Sequence, residues 1–225
     1  MSPVPGPSRL ALATRTLVLA TLIVHAAWVY LMGRAVRRGQ LRRDEAWLDN
    51  LYKGLAHRFV TIASRYRGGL IKLGQVASLR VDVIPDSMTA ELVRLQDRVP
   101  PHPFEEIEHQ IRTAFGKGSD ELFALIDKDP VASASLGQVH KARDHEGRDV
   151  AVKVLYPGVE RSVAVDLRMA RLALWLFNPF VAPDLLSIHV QIARSIRGEM
   201  DYRSEGRAAE RVAENLAADP ELFAK

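Results

Sequence analysis

Eighteen consecutive residues without a formal charge, Thr16 to Gly33 (TLVLATLIVHAAWVYLMG), limit the architecture of this chain more than any other stretch. As a helix they rise about 27 Å, close to the roughly 30 Å hydrocarbon core of a bilayer. Arg15 precedes the run and Arg34 follows it. Trp28 and Tyr30 lie near its C-terminal end, where interfacial aromatics belong. The next residues, GRAVRRGQLRR, offer no small-residue cleavage site, which argues against a secretory signal. A buried core helix is the rival reading, and His25 is a weak point of a membrane span. The expectation is a transmembrane or monotopic anchoring helix over residues 16–33, after a disordered, proline-rich N-terminus over residues 1–15.

The charge distribution supports an anchor. Residues 1–80 carry 13 Lys and Arg against 3 Asp and Glu, whereas residues 81–225 carry 18 against 24. Five arginines fall between Arg34 and Arg43, in a basic juxtamembrane linker over residues 34–43. The positive-inside rule then puts everything after residue 33 in the cytoplasm, with anionic membrane lipid as a partner for the arginines. No aromatic residues interleave with them, so nucleic acid is excluded as a partner. The chain has no Cys, hence no disulfide framework and no thiolate ligand or nucleophile. Its 7 His are scattered, and no metal site is expected.

Residues 44–128 read as a helical module. Leu48, Leu51, Tyr52, Leu55, Phe59, Ile62, Ala63 and Tyr66 follow the i, i+3, i+4, i+7 spacing of an amphipathic helix over Asp44–Tyr66, which Gly68-Gly69 ends. A short helix over Leu70–Arg80 carries the tetrapeptide KLGQ. A third helix starts at Pro85 and runs to about Asp97. Pro100-Pro101 breaks the chain, and a fourth helix starts at Pro103 with Glu105 and Glu106 in its first turn. Ser119 or Asp120 caps another short one.

The pattern changes at Asp129-Pro130. Val131–Arg143 and Asp149–Tyr156 read as two strands joined by the polar turn Asp144-His145-Glu146-Gly147. Two helices follow, over Val159–Phe177 and Leu185–Ala218. Within this part, Ala132-Ser133-Ala134-Ser135-Leu136-Gly137-Gln138-Val139 can be set beside the kinase phosphate loop G-x-G-x-x-G-x-V. Its last Gly and the Val match, and its first two Gly are Ala here. Val150-Ala151-Val152-Lys153 follows at hairpin spacing and matches the V-A-I-K strand, whose Lys contacts nucleotide phosphates. On the last helix, Ile188, Ile192 and Ile196 form an apolar stripe with Glu199 on its edge. A carboxylate on such a face needs a cation, and kinases pair this Glu with the strand Lys. The expected pair is Lys153–Glu199.

Taken in order, KLGQ (Lys72–Gln75), ASASLGQVHKA (Ala132–Ala142), VAVKVLYPGV (Val150–Val159) and EMDYRSEG (Glu199–Gly206) resemble the UbiB/AarF-type atypical kinase-like proteins of ubiquinone metabolism. The resemblance spans roughly residues 50–218. It implies an α+β protein: a partial protein-kinase-like small lobe over residues 129–225, built from a β-hairpin plus helices, behind a family-specific helical module. It implies ATP as cofactor, with Ala132, Ser133, Ala134, Ser135, Leu136, Gly137 and Val139 as the nucleotide loop. Lys153 would be the ATP lysine and Glu199 its partner. Lys72 and Gln75 would lie over the nucleotide site, and Asp201 and Glu205 would support the module from the acidic motif. Quinone-biosynthesis proteins or a prenyl-lipid are the implied partners.

This sequence departs from the family's pattern at Ser133 in the loop and at Ser195, where a Glu is common. The segments expected to supply the catalytic loop and the Mg²⁺ ligands do not follow, so Mg²⁺ is expected only with a large lobe, and enzymatic status stays open. Two functions follow as expectations. One is a membrane-associated ATPase or phosphotransferase supporting isoprenoid-quinone synthesis. The other is a non-catalytic anchored nucleotide-binding or scaffold module regulating a lipid-biosynthetic complex.

Overall fold

The uncharged stretch lies within one long helix, α1 (Arg9–Arg37), in a computed structural model that describes residues 6–79, 84–96, 101–181 and 185–217. Ser8 Oγ caps α1 by accepting from the Ala11 N–H at 3.1 Å. The helix thus starts inside the N-terminal segment expected to be disordered, and residues 1–5 lie outside the described residues. Among the described residues it is the one helix long and apolar enough to cross a membrane. It is not a bare rod. Leu19, Leu22 and Val29 are buried, whereas Leu10, Leu17, Val24 and Leu31 are exposed.

Arg15 is the clearest departure from expectation. Read as a charge flanking the apolar run, it is buried at 5% exposure. Its Nε and Nη2 donate to the two carboxylate oxygens of Asp166, each at 2.6 Å. Its Nη1 and Nη2 also donate to the Tyr66 and Arg67 carbonyls, each at 2.9 Å. A planar guanidinium can satisfy four acceptors in this way, which an ammonium cannot.

Helix α2 (Glu45–Tyr66) begins where Asp44 Oδ1 accepts from the Trp47 N–H at 2.9 Å. It ends at Arg67, whose φ of 53° leads into the glycine pair. Helix α3 (Gly69–Ser78) carries KLGQ. Helix α4 (Asp86–Leu92) passes into a 3-10 turn over Val93–Gln96. The expected helix ends at Arg80 and Asp97, and the Pro100 break, fall outside the described residues. Helix α5 (Phe104–Phe115) starts after Pro103 with Glu105 and Glu106 in its first turn, as its sequence indicates. The one-turn helix α6 (Ser119–Leu122) precedes the sheet.

The sheet is antiparallel. Strands β1 (Leu125–Ile126) and β2 (Ala132–Ser133) pair with the two ends of β3 (Gly137–Arg143), and β4 (Asp149–Leu155) pairs with β3 along its length. The single strand expected over 131–143 is therefore divided. A turn at Ala134–Gly137 folds β2 back on β3, with the Ala134 N–H donating to the Gly137 carbonyl at 2.8 Å. Between β3 and β4, Asp144 Oδ1 accepts from the Glu146 and Arg148 N–H groups, and Gly147 takes the left-handed conformation at φ 85°.

Helix α7 (Val159–Val181) is shared by two cores. Val163 and Leu167 pack with Ile107, Ile111, Leu136 and Val154. Val165 and Met169 pack against Leu19, Val60, Leu70 and Leu92. The expected final helix is two: α8 (Leu185–Gly198) and α9 (Tyr202–Ala217). Glu199 and Asp201 lie in the break between them, and Asp201 Oδ1 caps α9 by accepting from the Ser204 N–H at 3.0 Å.

Candidate nucleotide site on the open face of the sheet

Register decides which side chains share a face. Ala132 pairs with Val139, and Val139 pairs with Lys153, so these three form one row across β2, β3 and β4. Residues on the opposite face, Gln138, His140, Ala142 and Val154, are buried. There His140 Nδ1 lies 2.7 Å from the Asp127 carbonyl and must donate to it, which leaves Nε2 to accept from Gln138 Nε2 at 3.0 Å. Gln138 also exchanges two hydrogen bonds with the His102 backbone, tying the start of α5 to the sheet. The row that carries Lys153 is the face left open.

The turn between β2 and β3 is held from below. Ser133 Oγ lies 2.8 Å from the Tyr156 hydroxyl, which donates to the Ala134 carbonyl at 3.0 Å. The Tyr156 N–H donates to the Leu136 carbonyl at 3.0 Å, and the Leu136 side chain is buried in the core. Gly137 has a packing reason of its own. A Cβ there would stand 2.4 Å from the Val154 carbonyl oxygen and 2.8 Å from the Tyr202 hydroxyl. Ala132 and Ala134 are exposed and put no bulk over the turn.

Lys153 does not meet Glu199. Its Nζ lies 2.7 Å from Glu205 Oε2 and 4.3 Å from the centre of the Tyr202 ring. Glu199 is taken by Lys72, at 2.7 Å. The expected Lys153–Glu199 pair is thus exchanged for two pairs. The physical reason is the helix break: α8 ends at Gly198, so Glu199 does not continue the isoleucine stripe, and the first turn of α9 carries Glu205 to β4. Glu205, expected to play a supporting role, contacts the strand lysine directly. Tyr202 was not singled out by the sequence. A Gly followed three residues later by an Asp cap is the local signal that divides this helix and would have brought both forward.

Gln75 turns elsewhere: its Nε2 donates to the Leu95 carbonyl at 3.0 Å, tying α3 to the 3-10 turn. Lys72, three residues earlier, emerges on the side of Glu199. Burial, with Glu205, Tyr156 and Glu199 adding, pushes the Tyr202 phenol well above the ordinary tyrosine range.

The arrangement leaves one cation accessible beside a small-residue turn, with Glu205 balancing its charge. Lys153 is 43% exposed on its side chain, lies on the open row and is oriented by Glu205 and Tyr202. The donor set fits nucleotide phosphates, with Lys153 as the charge and the small-residue turn as the surface they approach. Among the described residues, no group of three or more His, Asp or Glu is placed to hold a metal ion.

Residues 94–224 match the ABC1 atypical kinase-like domain. A probable protein kinase UbiB of Marinobacter nauticus is 36% identical over 157 residues, covering 68% of this chain and 29% of that protein. The chloroplastic protein ACTIVITY OF BC1 COMPLEX KINASE 7 of Arabidopsis thaliana is 32% identical over 201 residues, covering 87% of this chain and 27% of that protein. A solved complex of Rv3197 with erythromycin from Mycobacterium tuberculosis aligns with a TM-score of 0.40 at 30% identity, over 72% of this chain and 42% of that one. The chain therefore spans less than a third of the length of these two curated relatives.

Proposed function

The chain belongs to the ABC1 atypical kinase-like family, and on that footing we propose that it binds ATP on the open face of its sheet as part of a membrane-associated ATPase or phosphotransferase. The observation that carries the reading is the Lys153–Glu205 pair at 2.7 Å, set at the end of the Ala132–Val139–Lys153 row. A strand lysine held by a carboxylate from a helix is how kinase-type sites fix a cation against nucleotide phosphates. In this reading Ala132–Gly137 forms the phosphate-side turn and Val139 lines it. Lys72 holds Glu199 close by, and Gln75 fixes α3 so that Lys72 can reach. The resemblance to UbiB/AarF-type proteins points to isoprenoid-quinone synthesis as the process served.

The membrane half of the proposal rests on α1. It lies along the protein with Leu10, Leu17, Val24 and Leu31 outward, and Trp175 of α7 is also exposed. Arg34 and Arg37 lie in its last turn, and Arg38, Arg42 and Arg43 follow it. An outward apolar stripe beside a basic cluster suits an anionic bilayer surface on the cytoplasmic side.

The test is thermal unfolding of the intact protein against increasing ATP with Mg²⁺. We expect a saturable rise in melting temperature that Lys153→Ala abolishes and inorganic phosphate does not reproduce. A wild-type melting temperature that ATP leaves unmoved sinks the nucleotide reading. Flotation with phosphatidylglycerol vesicles, with and without residues 1–43, tests the anchor: equal recovery of both forms refutes it.

A further inference from the structure

A groove of about 730 Å³, open to solvent, lies between α1, α2, α3, α4, α7 and α8, away from Lys153 and the open face of the sheet. Its α1 wall runs from Leu19 to Arg37, about 27 Å of helix. The wall is apolar along this length, with Phe59 of α2 and Met169 and Leu174 of α7 among its members. The two charged residues that line it are Asp166 and Arg37. Asp166 is bound to Arg15, near the start of α1, and Arg37 is at its last turn, so the two charges mark opposite ends.

Those ends differ in kind. Asp166 is closed off, its carboxylate already taken by Arg15. Arg37 is exposed, and its Nη1 donates to the Tyr52 hydroxyl at 3.1 Å. Among the described residues no carboxylate pairs with Arg37. Gly33 makes room for this polar pair: a Cβ there would stand 2.9 Å from the Tyr52 hydroxyl and 3.3 Å from Arg37 Nη1. More arginines, Arg38, Arg42 and Arg43, follow in the sequence.

The groove opens to solvent, so its apolar lining stays in contact with water, and covering that surface with hydrocarbon is favourable in proportion to the area removed. The volume is that of a small-molecule site. We propose that the groove binds a single-chain amphiphile, its hydrocarbon tail along α1 and its anionic head, a phosphate or carboxylate, on Arg37 and Tyr52. The apolar length selects the tail, and Arg37, which no carboxylate pairs among the described residues, selects the sign of the head. The inference is independent of the nucleotide site.

The test uses the intact protein and dodecyl phosphate below its micelle concentration, followed by calorimetry. Dodecanol and inorganic phosphate isolate the two halves of the ligand. Dodecyl phosphate should bind saturably, one per chain, dodecanol more weakly, and inorganic phosphate not measurably. Arg37→Ala should weaken dodecyl phosphate about tenfold, the loss of one charge-assisted contact, and leave dodecanol unchanged. Ala173→Phe fills the groove from α7 and should abolish binding of both while the protein still melts cooperatively. The proposal is overturned if dodecyl phosphate does not saturate, or if Ala173→Phe leaves its binding intact. It is also overturned if inorganic phosphate competes fully, or if phosphatidylglycerol vesicles bind and monomeric dodecyl phosphate does not. Those last results would mean a surface anion site or a bilayer-facing surface. The ATP-dependent melting shift should be the same in all these variants, so failure here is distinguishable from failure of the nucleotide reading.

Discussion

Lys153 of β4 and Glu205 of α9 form the ion pair on the open face of the sheet, at 2.7 Å, while Glu199 is held by Lys72 at the same distance. Two carboxylates six residues apart are thus assigned to two lysines on different elements. The strand lysine is oriented by the far side of a helix break, and the helical module is joined to the small lobe through the near side. Whatever moves α3 changes the partner of Glu199, and Glu199 is next to the turn that positions Tyr202.

Double-mutant cycles separate these pairs. Lys153→Ala with Glu205→Ala, and Lys72→Ala with Glu199→Ala, should each show coupling of about 0.2–1 kcal/mol in denaturant unfolding, as partly exposed pairs do. The Lys72 pair should be the stronger, since its side chains are 27% and 35% exposed against 43% for both members of the other. Lys153→Ala with Glu199→Ala should couple least. If that cycle gives the largest coupling, the assignment is wrong.

Gly137→Ala should destabilise the protein by about 1–3 kcal/mol, because the obstructing atom at 2.4 Å is the Val154 carbonyl oxygen, which cannot rotate away. Gly54→Ala is the contrast. Gly54 lies inside α2 with nothing within 4 Å of a Cβ, so the change should be neutral or stabilise by up to about 1 kcal/mol. Urea midpoints of the two variants check this, and equal midpoints would refute the packing account of Gly137.

Arg15→Met strands the Asp166 carboxylate in the interior and should cost about 3–5 kcal/mol. Burial already pushes the Asp166 carboxyl up, opposed by Arg15 and by the backbone N–H groups of Leu70 and Gly69. Arg15→Met combined with Asp166→Leu should recover most of the loss, since no uncompensated charge remains. Chemical denaturation of the single and double variants decides it. A double variant no more stable than Arg15→Met would show that the pair is not what holds α1.

Tyr202 supplies a pH dependence. Burial, chiefly, holds its phenol above the ordinary range, so the unfolded chain loses that proton first, near pH 10. A group raised in the folded state contributes its full stability below the unfolded value and loses it as pH climbs toward the folded one. Stability should therefore fall above about pH 10, and Tyr202→Phe should flatten that fall. Melting temperatures recorded from pH 8 to 11 test it, and an unchanged slope in the variant rules it out.

Local chemistry made much of this protein legible. Asp44 before an amphipathic run, Gly68-Gly69 after it, Pro103 ahead of two glutamates and the Asp144–Gly147 turn each act within a few residues, and the elements stand where those signals put them. The α+β composition follows from the same short-range rules. What lies far apart in the chain was decided only by tertiary packing. Nothing within reach of Arg15 in sequence reveals that Asp166, 151 residues away, would draw it out of the role of a flanking charge. Nor does helical periodicity choose between Glu199 and Glu205 once the helix is interrupted, because the break resets which way the following turn points. Gly137 looks like a concession to phosphate until Val154 and Tyr202 are in place. A cap or a turn is a contest among neighbouring backbone groups and is settled by the residues on the spot. An ion pair or a close approach depends on where two distant segments are brought, and that is set by the whole core.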